Sequence, residues 1–209
     1  MKVGIVGSGS VAQDLGKGFV KRGDDVMLGS RSPDKLSDYA SETGAAAGTM
    51  AEAAEHGELL VLACKGTETE SAIEQAGAGN FEGKVLIDVT NPLVQGGGIP
   101  TLAYGPTESG GEVVQRAVPA AKVVKTLNIV NSGQMVDPEV SDGPPTMFVA
   151  GEDEDAKGTV TGILGDFGWP DVVDIGGIEA SREMESLCVL WCRVAIPDQQ
   201  WQSAFRLLR

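Results

Sequence analysis

The residues best placed to do chemistry stand at the start of the chain. Gly7-Ser8-Gly9-Ser10-Val11-Ala12 spells G-x-G-x-x-A directly after the apolar run Val3-Gly4-Ile5-Val6. In that pattern the first glycine makes a tight turn and the second lets the backbone approach a pyrophosphate. A small third residue lets the following helix pack close to the strand. The helix that opens here aims its free N–H groups at the phosphates. The next apolar run, Val26-Met27-Leu28, reads as a second strand. An NAD site carries an Asp or Glu after that strand, about 20 residues beyond the glycines, to hold the ribose 2′-hydroxyl. Here Gly29-Ser30-Arg31-Ser32 follows instead, with Lys35 one turn on. A hydroxyl and two cations suit a 2′-phosphate, so the pattern predicts NADP rather than NAD. Two plainer readings stand beside it. One is an unliganded strand–helix turn. The other is a solvated loop at Ser30, Arg31 and Lys35, where Ser32-Pro33 would start the next helix.

Strands and helices alternate behind this motif, which predicts an α/β fold with a doubly wound, mostly parallel sheet. Helix is expected over Ser32 to Thr43, with a short strand at Ala45 to Ala47. Another helix runs from Thr49 to His56, where Thr49 and Glu52 form a capping box. Strands follow at Leu59 to Ala63 and Lys84 to Val89, flanking a helix from Thr67 to Ala76. A long loop holds the Gly96–Gly98 run and Tyr104-Gly105-Pro106, and such loops are uncommon in compact domains unless functional. Then come a helix at Ser109 to Ala117, a strand at Lys122 to Leu127, a strand at Thr146 to Ala150, a helix at Asp153 to Leu164 and a strand at Val172 to Ile175. From Ile178 to Arg209 the chain reads as helical with Pro197 as a break. The expected division is residues 1–177 as an NADP-binding Rossmann domain with an extended sheet and 178–209 as a helical segment that closes the pocket.

Ligands in such folds bind at the C-terminal ends of the strands. Cys64 and Lys65 stand there after the fourth strand; Lys65 suits the ribose or pyrophosphate and Cys64 a small wall, or the pair is only a capping turn. Asn91 and Pro92 end the fifth strand and suit the nicotinamide, or form an Asn-Pro turn without a ligand. Asn128, after the sixth strand, is the expected contact to a second substrate, with Met135 lining that pocket or lying in the core.

His56 is the only histidine of the 209 residues. It follows a helix and precedes a strand, at the edge of the sheet away from ligands, so no His-based catalysis or metal site is expected. Cys188 and Cys192, at i, i+4 among apolar residues, read as buried structural thiols. The net charge of −14 disfavours a nucleic-acid partner. No run approaches the roughly 18 apolar residues of a membrane span, and no signal peptide is visible, so the expectation is a cytoplasmic protein. Leu187, Leu190, Trp191, Val194, Trp201, Phe205 and Leu208 offer more apolar surface than a terminal segment buries alone, which points to a homodimer.

Taken together, several segments resemble one family, the NADP oxidoreductases dependent on coenzyme F-420 and their NADPH-dependent reductase relatives. The cytosolic domain of the STEAP metalloreductases is similar. The resemblance rests on Gly29-Ser30-Arg31, Asp88-Val89-Thr90-Asn91-Pro92-Leu93, Val123-Val124-Lys125-Thr126-Leu127-Asn128, Met147 to Asp153, Val173 to Gly177 and Ser181-Arg182-Glu183. Leu127 stands where members of that family usually carry Phe. The resemblance implies an oxidoreductase that moves a hydride directly between NADP(H) and a planar acceptor such as coenzyme F-420 or a flavin. Such a transfer needs ring orientation more than a general acid. Two alternatives remain at this point: an NADPH-binding sensor without chemistry, and a carbonyl or imine reductase, which needs a proton donor.

Overall fold

A computed structural model of the chain describes residues 1–139 and 143–209. Its centre is a six-stranded, all-parallel sheet. The chain runs β1 (Lys2–Val6), α1 (Ser10–Lys21), β2 (Asp25–Gly29), α2 (Ser37–Thr43), β3 (Ala46–Gly48), α3 (Met50–His56), β4 (Leu59–Leu62), α4 (Thr69–Ala76) and β5 (Val85–Asp88). It continues through β6 (Leu93–Val94), β7 (Thr101–Leu102), α5 (Gly110–Ala117), β8 (Lys122–Lys125), α6 (Ser132–Met135), β9 (Thr146–Val149), α7 (Glu154–Asp166), β10 (Asp171–Asp174) and α8 (Ser181–Asp198). The sheet order is β3-β2-β1-β4-β5-β8. The order reverses between β1 and β4, and a doubly wound sheet opens its crevice at that switch point.

Successive strand residues face opposite sides, so each strand feeds two cores. Val3, Ile5, Leu59 and Val61 join α1, α7 and α8 on one face. Val6, Leu60 and Leu62 join α3, α4 and α5 on the other. The Thr49 box at the start of α3 is formed as the sequence implies, with Glu52 N–H donating to the Thr49 hydroxyl at 3.2 Å and Thr49 N–H to the Glu52 carboxylate at 2.7 Å. His56 ends α3 at the far edge of the sheet, its Nε2 3.1 Å from the Asp25 carbonyl oxygen.

Four expectations need correction. The loop after β5 is not structureless, because β6 and β7 pair as a short antiparallel hairpin. The sixth strand stops at Lys125 rather than Leu127, since Leu127 takes φ 60° and turns the chain out of the sheet. The sheet is not extended by the last two strands: β9 and β10 form their own parallel pair, tied to β8 by one antiparallel bridge between Lys125 and Ala150. The C-terminal segment is helical only to Asp198, because Pro197 supplies no N–H to carry the helix on and Gln199 is left-handed at φ 52°. Residues after it run back as irregular chain, where Phe205 C=O accepts from Thr146 N–H at 2.9 Å.

That tail also redistributes the apolar surface expected to meet a second copy. Trp191 is buried, Leu187 and Phe205 pack on the chain's own core, and Leu190, Val194, Trp201 and Leu208 stay exposed. No helix among the described residues is long and apolar enough to cross a membrane.

Candidate functional site

The crevice at the switch point is a cavity of about 520 Å³. Gly7, Ser8, Gly9, Ser10, Val11, Arg31, Cys64, Lys65, Asn91, Asn128 and Met135 all line it, so the structure gathers most of the residues singled out from the sequence. Ser30 and Pro92 lie just behind the wall, and Lys35 is exposed outside it on the 3-10 turn Pro33–Leu36.

The two glycines of the turn have different reasons. Gly7 has φ +149°, and a Cβ there would sit 2.3 Å from the Ala63 carbonyl oxygen. The fold itself requires that glycine. Gly9 has φ −75° and ψ −178°, extended backbone open to any residue, and a Cβ there would meet no atom within 4 Å. Nothing in the protein demands glycine at this point, and its absent side chain leaves the backbone open to the cleft. The start of α1 agrees, for Gly9 gives it no side-chain cap and its first turn holds no acidic residue. By contrast α3, α5 and α7 are capped by Thr49, Ser109 and Asp153. The free N–H groups of this first turn fit a dinucleotide pyrophosphate.

Ser30 is buried and ties the glycine turn to the end of β2. Its hydroxyl donates to Ser8 Oγ at 3.2 Å and accepts from Ser32 N–H at 3.0 Å. This places Arg31 at the outer mouth of the cleft. Glu68, in the 3-10 turn before α4, comes to the same place: Arg31 Nη2 lies 3.8 Å from Glu68 Oε2, and Lys65 Nζ lies 3.6 Å from Glu68 Oε1.

At the inner end, the tips of β5 and β8 are joined through their amides. Asn91 Nδ2 donates to the Asn128 carbonyl at 2.7 Å, and Asn128 Nδ2 donates to Asn91 Oδ1 at 2.9 Å and to the Met184 carbonyl at 3.1 Å. Asn128 Oδ1 is buried without a hydrogen-bond partner among the described residues. The positive φ of Leu127 sets this geometry by turning Asn128 back towards Asn91. Pro92 is buried against Gly110 rather than on the cleft wall. Helix α8 supplies the opposite wall with Cys188, Trp191 and Cys192. The two cysteines are buried, as their spacing implies, yet they are also cleft residues. The pairing of the two thiols one helical turn apart lowers the pKa of Cys192 and, with burial, pushes that of Cys188 up. Burial, reinforced by Asp88, pushes Cys64 up to about 12.

Beneath the amide pair lies a buried ionic cluster. Lys125 Nζ contacts Asp88 Oδ2 at 2.9 Å, Glu185 Oε1 at 3.0 Å and the Thr90 carbonyl at 2.6 Å. Asp88 also accepts from the Thr90 N–H and hydroxyl, and Glu185 accepts from the N–H groups of Gly110 and Gly111 at the start of α5. Each carboxylate thus has three donors. Burial alone pulls the Lys125 ammonium down, but the two carboxylates reverse this and leave its pKa above the ordinary lysine value.

Sequence reasoning missed Glu68, Cys188, Trp191, Cys192 and the role of Lys125 and Glu185. A signal existed for the last two. Lys125 follows Val123 and Val124 at the C-terminal end of β8, and Glu185 stands one position from Met184 and three from Cys188 on the buried face of α8.

The model of a family described as NADP oxidoreductase, coenzyme F420-dependent, matches residues 2–92. An F420-dependent NADP reductase from Methanocaldococcus jannaschii is 27% identical over 206 residues, covering 91% of this chain and 90% of that protein. Metalloreductase STEAP3 from Rattus norvegicus is 28% identical over 186 residues, covering 89% of this chain. The match spans only 36% of that longer protein. Among solved structures, a proposed F420-dependent NADP reductase from Arthrobacter sp. FB24 superposes with a TM-score of 0.95 at 35% identity, covering 100% of both chains.

Proposed function

We propose, for a chain that belongs to the coenzyme F420-dependent NADP oxidoreductases, that the cleft passes a hydride directly between NADP(H) and a planar deazaflavin- or flavin-like ring. The protein is an NADP-dependent oxidoreductase, and the acceptor is what the proposal adds. One observation carries it: the make-up of the inner wall. Leu93, Val130, Met135 and Trp191 are apolar, Asn91 and Asn128 are neutral amides, and the titratable side chains that α8 contributes to the cleft lining are the thiols Cys188 and Cys192. A hydride passing between two flat rings needs their faces held together and water kept away, with no alkoxide to protonate.

The roles of the protein's groups follow from their places. The first-turn N–H groups of α1, around Gly9, Ser10 and Val11, hold the pyrophosphate. Ser8 and Ser30 fix the turn, and Arg31 meets the 2′-phosphate through charge-assisted bonds. Lys35 adds attraction from outside the cleft. Asn91, steadied by Asn128 and by the buried Pro92, orients the nicotinamide half. Cys64 leaves room beside it, and Met135 and Trp191 form the apolar flank for the acceptor. Bound NADPH supplies the hydride.

The pH dependence of the rate tests this reading, because Cys192 is the inner-wall thiol whose pKa its pairing with Cys188 lowers. Lys65→Met and Cys192→Ser are expected to lower turnover only through placement, by up to about a hundredfold, and to leave the shape of the profile unchanged. A carbonyl or imine reductase would lose the limb that reports its proton donor. Loss of a limb in Cys192→Ser, with NADPH still bound, would make that thiol the acid and overturn direct transfer.

A further inference from the structure

At the outer mouth of the cleft, two cationic heads that arrive from different segments converge on one carboxylate. Arg31 comes from the end of β2, and Lys65 from the end of β4. Each reaches a different oxygen of Glu68, at 3.8 and 3.6 Å. All three side chains line the cavity, and all three are substantially exposed. Exposed pairs at such distances contribute little to stability. What they record is a position: an anion held between two cations where the adenosine end of a dinucleotide must arrive.

We propose that Glu68 is a tethered stand-in for the 2′-phosphate, and that its displacement sets the preference between NADPH and NADH. The proposal rests on the NADP reading of Arg31 and adds two residues to it. Lys65 becomes the second cation of the phosphate clamp. Glu68 becomes the residue that tunes its selectivity. A 2′-phosphate brings about two negative charges to a slot already holding one, so Glu68 must swing out for the phosphate to reach Arg31 and Lys65. NADH has no such group and leaves Glu68 in place, where its carboxylate can accept from the free 2′-hydroxyl. A carboxylate in the ribose region is the feature that NAD sites carry at the end of the second strand. Here the sequence after β2 lacks it, and the turn before α4 brings one to the same place. The site therefore holds both a phosphate-binding pair and a hydroxyl acceptor, and Glu68 penalises NADPH while supporting NADH.

Dissociation constants for NADPH and NADH, measured by fluorescence titration on wild type, Arg31→Ala, Glu68→Gln and the double variant, test this. Glu68→Gln, at an exposed position that burial does not constrain, is expected to tighten NADPH about two- to fivefold, the value of an exposed ion pair. NADH should stay the same or weaken. The gain should shrink when Arg31 is absent, because the two groups act on each other. Lys65→Met should weaken NADPH without weakening NADH. Unchanged or weaker NADPH binding in Glu68→Gln overturns the stand-in, as does an equal tightening of both dinucleotides. Arg31→Ala tests the underlying reading separately. It is expected to weaken NADPH by about ten- to a hundredfold and leave NADH nearly untouched. If it spares NADPH, the 2′-phosphate assignment itself fails. If it weakens NADPH as expected while Glu68→Gln brings no gain, only the role of Glu68 fails.

Discussion

Gly9→Val is expected to abolish NADPH binding and leave a folded protein. The two halves of that result come from different observations. The backbone at Gly9, at φ −75° and ψ −178°, is one that valine adopts without strain, and the space its Cβ would enter is empty of protein atoms. The same space is where a pyrophosphate must lie to reach the first turn of α1, so a branched side chain there excludes it. Titration of NADPH fluorescence together with a thermal melt reads both halves. Normal binding would mean that the turn serves the fold alone. A collapse of the melt would mean that the fold itself needs glycine at this position. Gly7→Val is the useful contrast, because its positive φ and the Ala63 carbonyl at 2.3 Å make it a folding lesion.

Lys125→Met is expected to cost stability on a scale no surface substitution reaches. Lys125 and Asp88 have no exposed side-chain surface and Glu185 has 1%. Removing the ammonium leaves two buried carboxylates, each still held by its remaining donors but without a counter-charge. Breaking a buried ion pair in this way costs about 3–5 kcal/mol. For a chain of this size that is a fall in melting temperature on the order of ten degrees. The loss should also loosen the cleft, since Glu185 is the link from α8 to the start of α5 and, through Lys125, to Thr90. A denaturant titration showing a change under about 1 kcal/mol would mean that water reaches the cluster and screens it.

The parts of the site legible in the sequence are those written locally. The glycine turn, the Ser30-Arg31 fork and the Asn91-Pro92 tip each announce themselves within a few residues, because each is a strand end followed by a turn. The alternation of strands and helices was legible for the same reason. The opposite wall was not. Cys188, Trp191 and Cys192 reach the cleft only because α8 crosses back over the strand tips, and their spacing looks like that of any buried helix face. Glu68 reads as a solvated charge at the start of a helix; its meaning comes from Arg31, which is distant in sequence and adjacent in space. The β6–β7 hairpin escaped notice because two-residue strands leave no periodicity to read. The early end of β8 came from the backbone turn at Leu127, where the residue type favours no such conformation.

Under the proposed function the hydride travels directly from the nicotinamide to the ring of a planar acceptor. Deuterium makes the path visible. NADPH labelled at C4 of the nicotinamide, in each of its two stereochemical forms, would be mixed anaerobically with the protein and oxidised coenzyme F420. The C5–H of that reduced ring does not exchange with water, so its isotope records the origin of the hydride. The expected result is reduced deazaflavin carrying deuterium at C5 from one stereoisomer and hydrogen from the other. Reduction without label from either form, or no reduction of the ring by a protein that binds NADPH tightly, would contradict the account.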